Sequence, residues 1–191
     1  VYLAIPFGEM KPEADLSTIR SLQHVSGPEQ FDRALQDWEA KLGAVEIKVP
    51  PQVQAMADTF KTAAGHILIN RDGPALHPGP RRYNRSWIRD GAIMGAALIR
   101  AGCPTAIRDF IRWYARFQAE DGNIPDCADR EGTEWLPEFD AYGEFIYAVA
   151  EYYRFTGDKE FLYEMQPAVA KTLAYMEGLR SKRLTEEYRS G

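Results

Sequence analysis

Two short segments of the chain each end one helix and begin another, and their glycines, Gly102 and Gly157, lie 55 positions apart. Glycine is common just after a helix, Pro104 suits the first turn of the next helix, and Asp158 suits the position before one. A repeat of this length accommodates two antiparallel helices and one long loop. The sequence therefore predicts stacked helical hairpins.

Apolar residues at helical spacing predict five helices after residue 50. We expect them over about residues 51–69, 86–101, 104–120, 138–155 and 167–180, with a separate helical turn at 159–164 that ends before Pro167. An earlier helix is expected at 29–42, and residues 1–9 have the pattern of a β-strand. The predicted fold is mainly α, with a short N-terminal strand and a helical linker before the hairpins.

The connections between the predicted helices alternate in length. Those at Gly102 and Gly157 are short, whereas residues 70–86 and 121–137 form long connections. Alternate connections in an array of hairpins lie at opposite ends, so the two long ones should share one end. Because binding and catalytic residues concentrate on elaborated loops, we expect the functional site at that end.

Composition and charge exclude several classes of function. The net charge of −5 leaves no basic face for nucleic acid, and no apolar run approaches the roughly 20 residues of a membrane helix. The apolar N-terminus lacks the basic leader of a signal peptide, so we expect a soluble protein in a compartment that the sequence leaves open. Cys103 and Cys127 are expected as buried thiols, although a single disulfide stays open.

The first candidate binding motif is Trp87-Ile88-Arg89-Asp90, at the start of a predicted helix. An arginine fork next to a carboxylate can bind two neighbouring hydroxyls of one sugar, and Trp87 can supply an apolar face beside them. The same residues also have a structural interpretation. In that case Asp90 favours the positive end of the helix dipole and Arg89 is solvated.

Further candidates are Gln118 and Asp121, near the end of one predicted helix, and Asp140, at the start of the next. Asp140 would lie at the same end of the hairpins as Arg89 and Asp90. Carboxylates from different hairpins that converge on one pocket suit glycoside hydrolysis, although a carboxylate at a helix start is also favoured on its own. Acidic residues in the 121–137 loop leave a calcium site open, but they do not follow the EF-hand spacing. The three histidines lack zinc spacing, so no metal or other cofactor is expected.

At these residues the chain resembles the six-hairpin glycoside hydrolases, among which the glucoamylase-like and glycogen-debranching-like enzymes are the most similar. The resemblance covers about residues 50–185. It is carried by residues 82–90, 118–125, 140–143 and 151–158. The pairing of a W-x-R-D element with a later D-x-Y-G element is more specific than either element alone.

The resemblance implies a β-sandwich followed by a toroid of helical hairpins, the (α/α)6 fold. Residues 1–50 would hold the last sandwich strand and the linker, and residues 51–191 the first helices of an incomplete toroid. It further implies that Arg89 and Asp90 bind the sugar of the −1 subsite. The same resemblance assigns Trp87, Gln118, Asp121 and Asp140 to that pocket.

The resemblance also implies a reaction, which is hydrolysis of an α-glucan-like oligo- or polysaccharide by an inverting pair of carboxylates. The family's general acid follows its fifth or sixth helix and its base comes much later, so the catalytic residues stay unassigned. We therefore expect the chain to be inactive alone, with carbohydrate as its ligand and with the rest of a toroid or another chain as its partner. The alternative is a non-catalytic carbohydrate-binding or helical-repeat scaffold protein.

Overall fold

The computed structural model describes residues 26–189, so the predicted strand at 1–9 lies outside the described residues. Helix α1, Gly27–Leu42, belongs to a compact unit that ends at Gly43, and a second unit begins at Ala44. The side chain of Ser26 caps α1 by accepting a hydrogen bond from the backbone N–H of Glu29. The helix begins two positions before its predicted start and ends where predicted.

The second unit is built mainly from helices, which confirms the predicted mainly-α fold. Its helices are α2 (Gln54–Ile69), α3 (Ile88–Arg100), α4 (Pro104–Tyr114), α5 (Ala141–Thr156), α6 (Lys159–Arg183) and α7 (Glu186–Arg189). Single 3-10 turns cover Pro51–Val53, Arg81–Tyr83 and Ala115–Phe117. No described helix combines the length and the apolarity that a membrane crossing requires.

Helix α3 is the centre of the packing and contacts both α4 and α5. Its glycines allow α4 to approach closely, because a Cβ at Gly91 would overlap the ring of Phe110 and one at Gly95 would overlap Ile107. Phe110 and Ile107 of α4 are fully buried, and so is Phe145 of α5. Each such side chain contributes about 1.5–3 kcal/mol through burial, so this packing holds α3 firmly against α4.

The two predicted helix stops are confirmed. Gly102 has φ +83° and Gly157 has φ +67°, which is the left-handed conformation that glycine adopts without strain. A side chain at Gly102 would also lie 2.7 Å from the Cβ of Ala44. The short turns at these glycines join α3 to α4 and α5 to α6, so the predicted hairpins form.

The predicted break before Pro167 is wrong, because α6 runs without interruption from Lys159 to Arg183. Phe161 and Met165 are buried before the proline, and Thr172 is buried after it. Packing of both halves therefore outweighs the one helical hydrogen bond that proline removes. Asp158 caps the helix as predicted, and its Oδ1 accepts a hydrogen bond from the N–H of Phe161 at 3.0 Å.

A small antiparallel sheet, which the sequence did not predict, joins the two long connections. Its strands are β1 (Ser86–Trp87), β2 (Cys127–Ala128) and β3 (Thr133–Glu134), in that order. Ser86 pairs with Ala128, and Trp87 pairs with Cys127. Residues 86–87 were expected in a helix, but strands of two residues are too short for a hydrophobic period. The pairing shows that the two long connections share one end of the hairpins, as expected.

Helix α2 is less buried than its apolar face predicted. Ala57, Ala64 and Gly65 are buried, whereas Met56 is 71% exposed in the described part of the chain. The closed toroid stays a prediction, and so do its boundaries at residues 50 and 51.

Candidate functional site

The candidate site begins where β1 passes into α3. Trp87 ends the strand, and the N–H of Ile88 donates a hydrogen bond to the carbonyl of Asp126 at 3.0 Å. Ile88 is buried, with 2% of its surface exposed, and anchors the first turn of the helix. Arg89 and Asp90 follow in that turn, so strand pairing and burial fix the backbone from which both side chains extend.

The guanidinium of Arg89 binds carboxylates from the neighbouring hairpin. Its Nε lies 2.5 Å from Oδ2 of Asp140, and its Nη2 lies 2.9 Å from Oδ1 of the same residue. Nη2 also donates to Glu138 at 2.6 Å. The hydrogen bonds from Arg89 hold the pKa of Asp140 below its usual range. The predicted convergence of Arg89 and Asp140 is therefore present in the structure.

This ion pair is open to solvent. The side chains of Arg89 and Asp140 are 46% and 44% exposed. An ion pair at such exposure adds at most about 1 kcal/mol to stability. The fold therefore does not depend on it, and a ligand can reach both groups.

Two further carboxylates belong to the helix turns that carry the pair, Asp90 in α3 and Glu144 in α5. Asp90 makes no side-chain hydrogen bond or ion pair within the part of the chain that the structure describes. Glu144 lies one helical turn after Asp140; burial and then the charge of Asp140 raise its pKa, whereas Arg89 lowers it. No sequence signal marked Glu144, because a glutamate in the first turn of a helix is common.

Gly143 leaves open space on the surface of α5 next to Asp140. It lies in the first turn of α5, is exposed, and has no atom within 4 Å of the position that a Cβ would occupy. Unlike Gly91, it is not required by a neighbouring helix. A helical glycine destabilises a helix by up to about 1 kcal/mol relative to alanine. No close packing among the described residues requires a glycine at position 143.

Trp87 is half-buried in an aromatic and cationic environment. Its ring centroid lies 6.2 Å from that of Tyr83, and the guanidinium carbon of Arg85 lies 5.9 Å from it. Tyr83 is 63% exposed. The two rings form an apolar edge next to the first turn of α3.

A second ion-pair cluster is centred on Arg85, just before β1. Arg85 donates to Asp129 at 2.5 Å and to Glu134 at 2.6 Å. Oδ1 of Asp129 also accepts hydrogen bonds from the backbone N–H groups of Glu131 and Gly132. Burial raises the pKa of Asp129, but the hydrogen bonds from Arg85 and from these amides bring it below its usual value. This cluster holds the turn between β2 and β3.

Asp126 is a buried carboxylate between the two clusters. It is 5% exposed, and its Oδ1 has no hydrogen-bond partner. Burial, followed by the charges of Glu134 and Glu138, raises its pKa, although backbone N–H groups lower it in part. Its sequence position, next to Pro125 in an acidic loop, did not distinguish it from exposed neighbours.

Gln118 and Asp121 have structural contacts away from Arg89. The amide of Gln118 donates to the carbonyl of Ala168 at 2.9 Å and to the hydroxyl of Thr172 at 2.8 Å, which ties the end of α4 to α6. Oδ1 of Asp121 accepts the N–H of Asn123 at 3.0 Å and closes a turn. Their part in sugar binding stays a prediction.

The thiols and the acidic side chains form no metal centre among the described residues, where no group of three or more histidine, cysteine or carboxylate side chains is arranged to hold an ion. Cys103 and Cys127 are buried and are not joined by a disulfide, which resolves the question left open by the sequence. Burial raises the pKa of Cys127 to about 12, so this thiol is not a nucleophile at neutral pH.

Comparison with known proteins identifies the family. The model of the amylo-alpha-1,6-glucosidase family matches residues 53–187, which include every residue of the candidate site. The chain belongs to this family. An uncharacterized glycosyl hydrolase of Methanocaldococcus jannaschii is 26% identical over 117 residues, which are 58% of this chain and 18% of the relative. No solved structure matches the chain significantly.

The family assignment agrees with the expected glycogen-debranching-like resemblance and with a glycoside hydrolase at the level of the family. The chain spans about a fifth of the length of its curated relative. Arg89 and Asp140 are thus an exposed pair of interacting charges at the loop-rich end of a chain from a glycosidase family.

Proposed function

We propose that the protein hydrolyses glycosidic bonds of an α-glucan-like oligo- or polysaccharide and that Arg89, Asp90 and Asp140 hold the terminal sugar in the −1 subsite. The observation that carries the proposal is the exposed fork of Arg89 on Asp140, with Asp90 next to Arg89 in the first turn of α3. Paired donors and acceptors of this kind match the vicinal hydroxyls of a sugar ring. Family membership supports the reaction class.

Three further residues, Gly143, Trp87 and Glu144, support the proposal. Gly143 leaves room for a ring above the first turn of α5, and Trp87 offers an apolar edge. Glu144 adds negative charge next to Asp140. Fixed negative charge beside the −1 sugar favours a transition state in which positive charge develops on the ring.

The proposed mechanism is inverting, with one carboxylic acid that protonates the leaving oxygen and one carboxylate that activates water. In such enzymes the two groups stand roughly 6.5–9.5 Å apart. Asp140 suits neither role, because its lowered pKa keeps it ionised and Arg89 occupies both of its oxygens. We place the base, and also the acid, outside the described residues.

The test is hydrolysis of an α-1,6-branched oligoglucoside by the full-length protein, with the anomer of the released sugar followed by NMR. Release of the β-anomer is expected for inversion. Release of the α-anomer contradicts the inverting mechanism. Sugar binding without any hydrolysis would instead support the non-catalytic carbohydrate-binding alternative.

Arg89→Gln tests the binding role. We expect it to weaken binding of the oligoglucoside by about tenfold to a hundredfold, since a charge-assisted hydrogen bond contributes about 1.5–3 kcal/mol. Arg112→Gln is a matched control, because Arg112 makes a similar two-point ion pair with Glu164 and is 47% exposed. Equal effects of the two variants would refute the proposed site.

A further inference from the structure

A groove of about 570 Å³ lies between the loop that precedes α5 and the last turns of α6. The groove is lined by aromatic residues of the first segment, among them Trp135 and Phe139, and by residues of α6, among them Tyr175, Lys182 and Arg183. Neither Arg89 nor Asp140 lines this groove, so it is distinct from the ion pair described above.

The groove presents aromatic faces to solvent. Trp135 is 43% exposed and Phe139 is 61% exposed. Behind them Tyr142 and Tyr175 pack edge to face, with ring centroids 5.1 Å apart. Aromatic surface of this kind is apolar yet accessible, and it suits stacking against the apolar face of a sugar ring.

The charged side chains that line the groove are all positive. Arg180, Lys182 and Arg183 line it, and none of its described lining residues is a carboxylate. Arg180 pairs with Glu177 at 3.1 Å, an exposed contact within the same helix. Cations in the last turn of a helix are favoured by its dipole, but that effect does not require an aromatic groove beside them.

The groove is connected to the proposed sugar site through the chain. Phe139 stands between Glu138 and Asp140, the two carboxylates that bind Arg89. A glycan whose terminal sugar lies at Asp140 therefore has an aromatic surface within reach for its next residues. The cations of α6 lie on the far wall of that surface.

We propose that this groove binds a phosphate monoester carried by the glycan, with the sugar rings against Trp135 and Phe139 and the phosphate against Lys182 and Arg183. The inference rests on the proposed function, because it treats the groove as an extension of the same substrate site. A phosphate monoester carries about 1.5–2 negative charges near neutral pH, which suits several cations better than a single carboxylate does.

The experiment measures binding to the full-length protein by calorimetry, with maltotriose and with maltotriose that carries a phosphate monoester. We expect the phosphorylated sugar to bind at least about tenfold more tightly, and we expect this gain to shrink as salt is added. The double variant Lys182→Gln with Arg183→Gln should abolish the gain and leave the affinity for maltotriose unchanged. Lys159→Gln, at the exposed start of the same helix, is the matched control.

Trp135→Ala tests the aromatic wall and should weaken both ligands by about tenfold. Equal affinity for the two sugars, or a gain that survives the double variant, overturns the inference. A maltotriose derivative that ends in a uronate is a further arm, and an equal gain with it overturns the choice of phosphate. Both glutamines are expected to keep α6 intact, because glutamine forms helices well and both positions are exposed.

The two proposals fail in different ways. If maltotriose binds and Arg89→Gln weakens it, but phosphate brings no gain, only the inference about the groove is lost. If maltotriose does not bind, or if Arg89→Gln leaves its binding unchanged, the proposed function itself is wrong.

Discussion

Arg85 and Arg89 lie four residues apart in the sequence, on either side of β1, and each binds two carboxylates from the segment between α4 and α5. Their surroundings differ. Asp129, the main partner of Arg85, has 9% of its side chain exposed and accepts two backbone N–H groups as well. Asp140, the main partner of Arg89, is 44% exposed.

The difference separates a structural ion pair from one that is available to a ligand. Both oxygens of Asp129 already accept hydrogen bonds, and loss of Arg85 would leave this buried charge with the backbone N–H groups alone. The Arg89 pair contributes little to folding because water screens it. The two clusters can therefore be tested against each other, with stability as one measurement and sugar affinity as the other.

The largest expected effect is on stability, in Arg85→Gln. Removing the arginine should cost about 2–3 kcal/mol, because Asp129 is buried and would keep only its hydrogen bonds from backbone N–H groups. Urea unfolding followed by circular dichroism measures the loss. Arg89→Gln should change the free energy of unfolding by less than about 1 kcal/mol. If the two variants unfold alike, the distinction between the clusters is wrong.

Asp140→Asn should act on binding and not on folding. We expect affinity for maltotriose to fall by about tenfold, because a neutral amide accepts weaker hydrogen bonds than a carboxylate does. Calorimetry measures the affinity, and urea unfolding should show a change within about 1 kcal/mol. Asp129→Asn should instead lower stability and leave the affinity unchanged. If that variant lost affinity but kept its stability, Asp129 and not Asp140 would be the sugar-binding carboxylate.

Gly143→Ala is expected to change stability and affinity in opposite directions. Alanine should raise the free energy of unfolding by up to about 1 kcal/mol, because helical glycine is unfavourable and nothing opposes a Cβ here. The same methyl group should weaken sugar binding by severalfold if a ring lies over α5. Gly178→Ala in α6, where the space is also open, should stabilise without any effect on affinity. Unchanged affinity in Gly143→Ala would remove the sugar from this surface.

Asp126→Asn should give the smallest change, a pH-dependent gain in stability. The pKa of Asp126 is raised in the folded state, so the carboxyl favours folding at low pH and loses that contribution as pH rises through its folded pKa. The gain from asparagine should be present at neutral pH and vanish below about pH 4, near the unfolded value. Thermal unfolding at the two pH values measures it, and a gain that does not depend on pH would point to packing instead.

Much of this arrangement could be predicted from the sequence. The hairpins follow from glycine and proline positions, and the convergence of Arg89 with Asp140 follows from the alternation of short and long connections. Local patterns could not give the paired strands, because Ser86 and Trp87 also fit a helix start. They could not predict an unbroken α6 either, since burial of Met165 and Thr172 on both sides of Pro167 is a tertiary effect.

The roles of single carboxylates were the hardest to predict. Asp126, Asp129 and Asp140 are the same residue type within one acidic stretch of sequence. Burial and hydrogen bonding distinguish them, and both depend on the sheet that brings the loop to Arg85 and Arg89. Sequence reasoning therefore predicted that Arg89 and Asp140 lie together, as the structure has them, but it did not single out Glu144 or Asp126.

The three-stranded sheet also limits how this chain can change during evolution. The pairs Ser86–Ala128 and Trp87–Cys127 join the two long connections, so the two loops share one register. An insertion of one residue within a paired strand would reverse the faces of the residues after it and turn Arg89 away from Asp140. Loop length is thus inherited jointly by the two hairpins, and a loop transplanted from another family member should carry its partner strand with it.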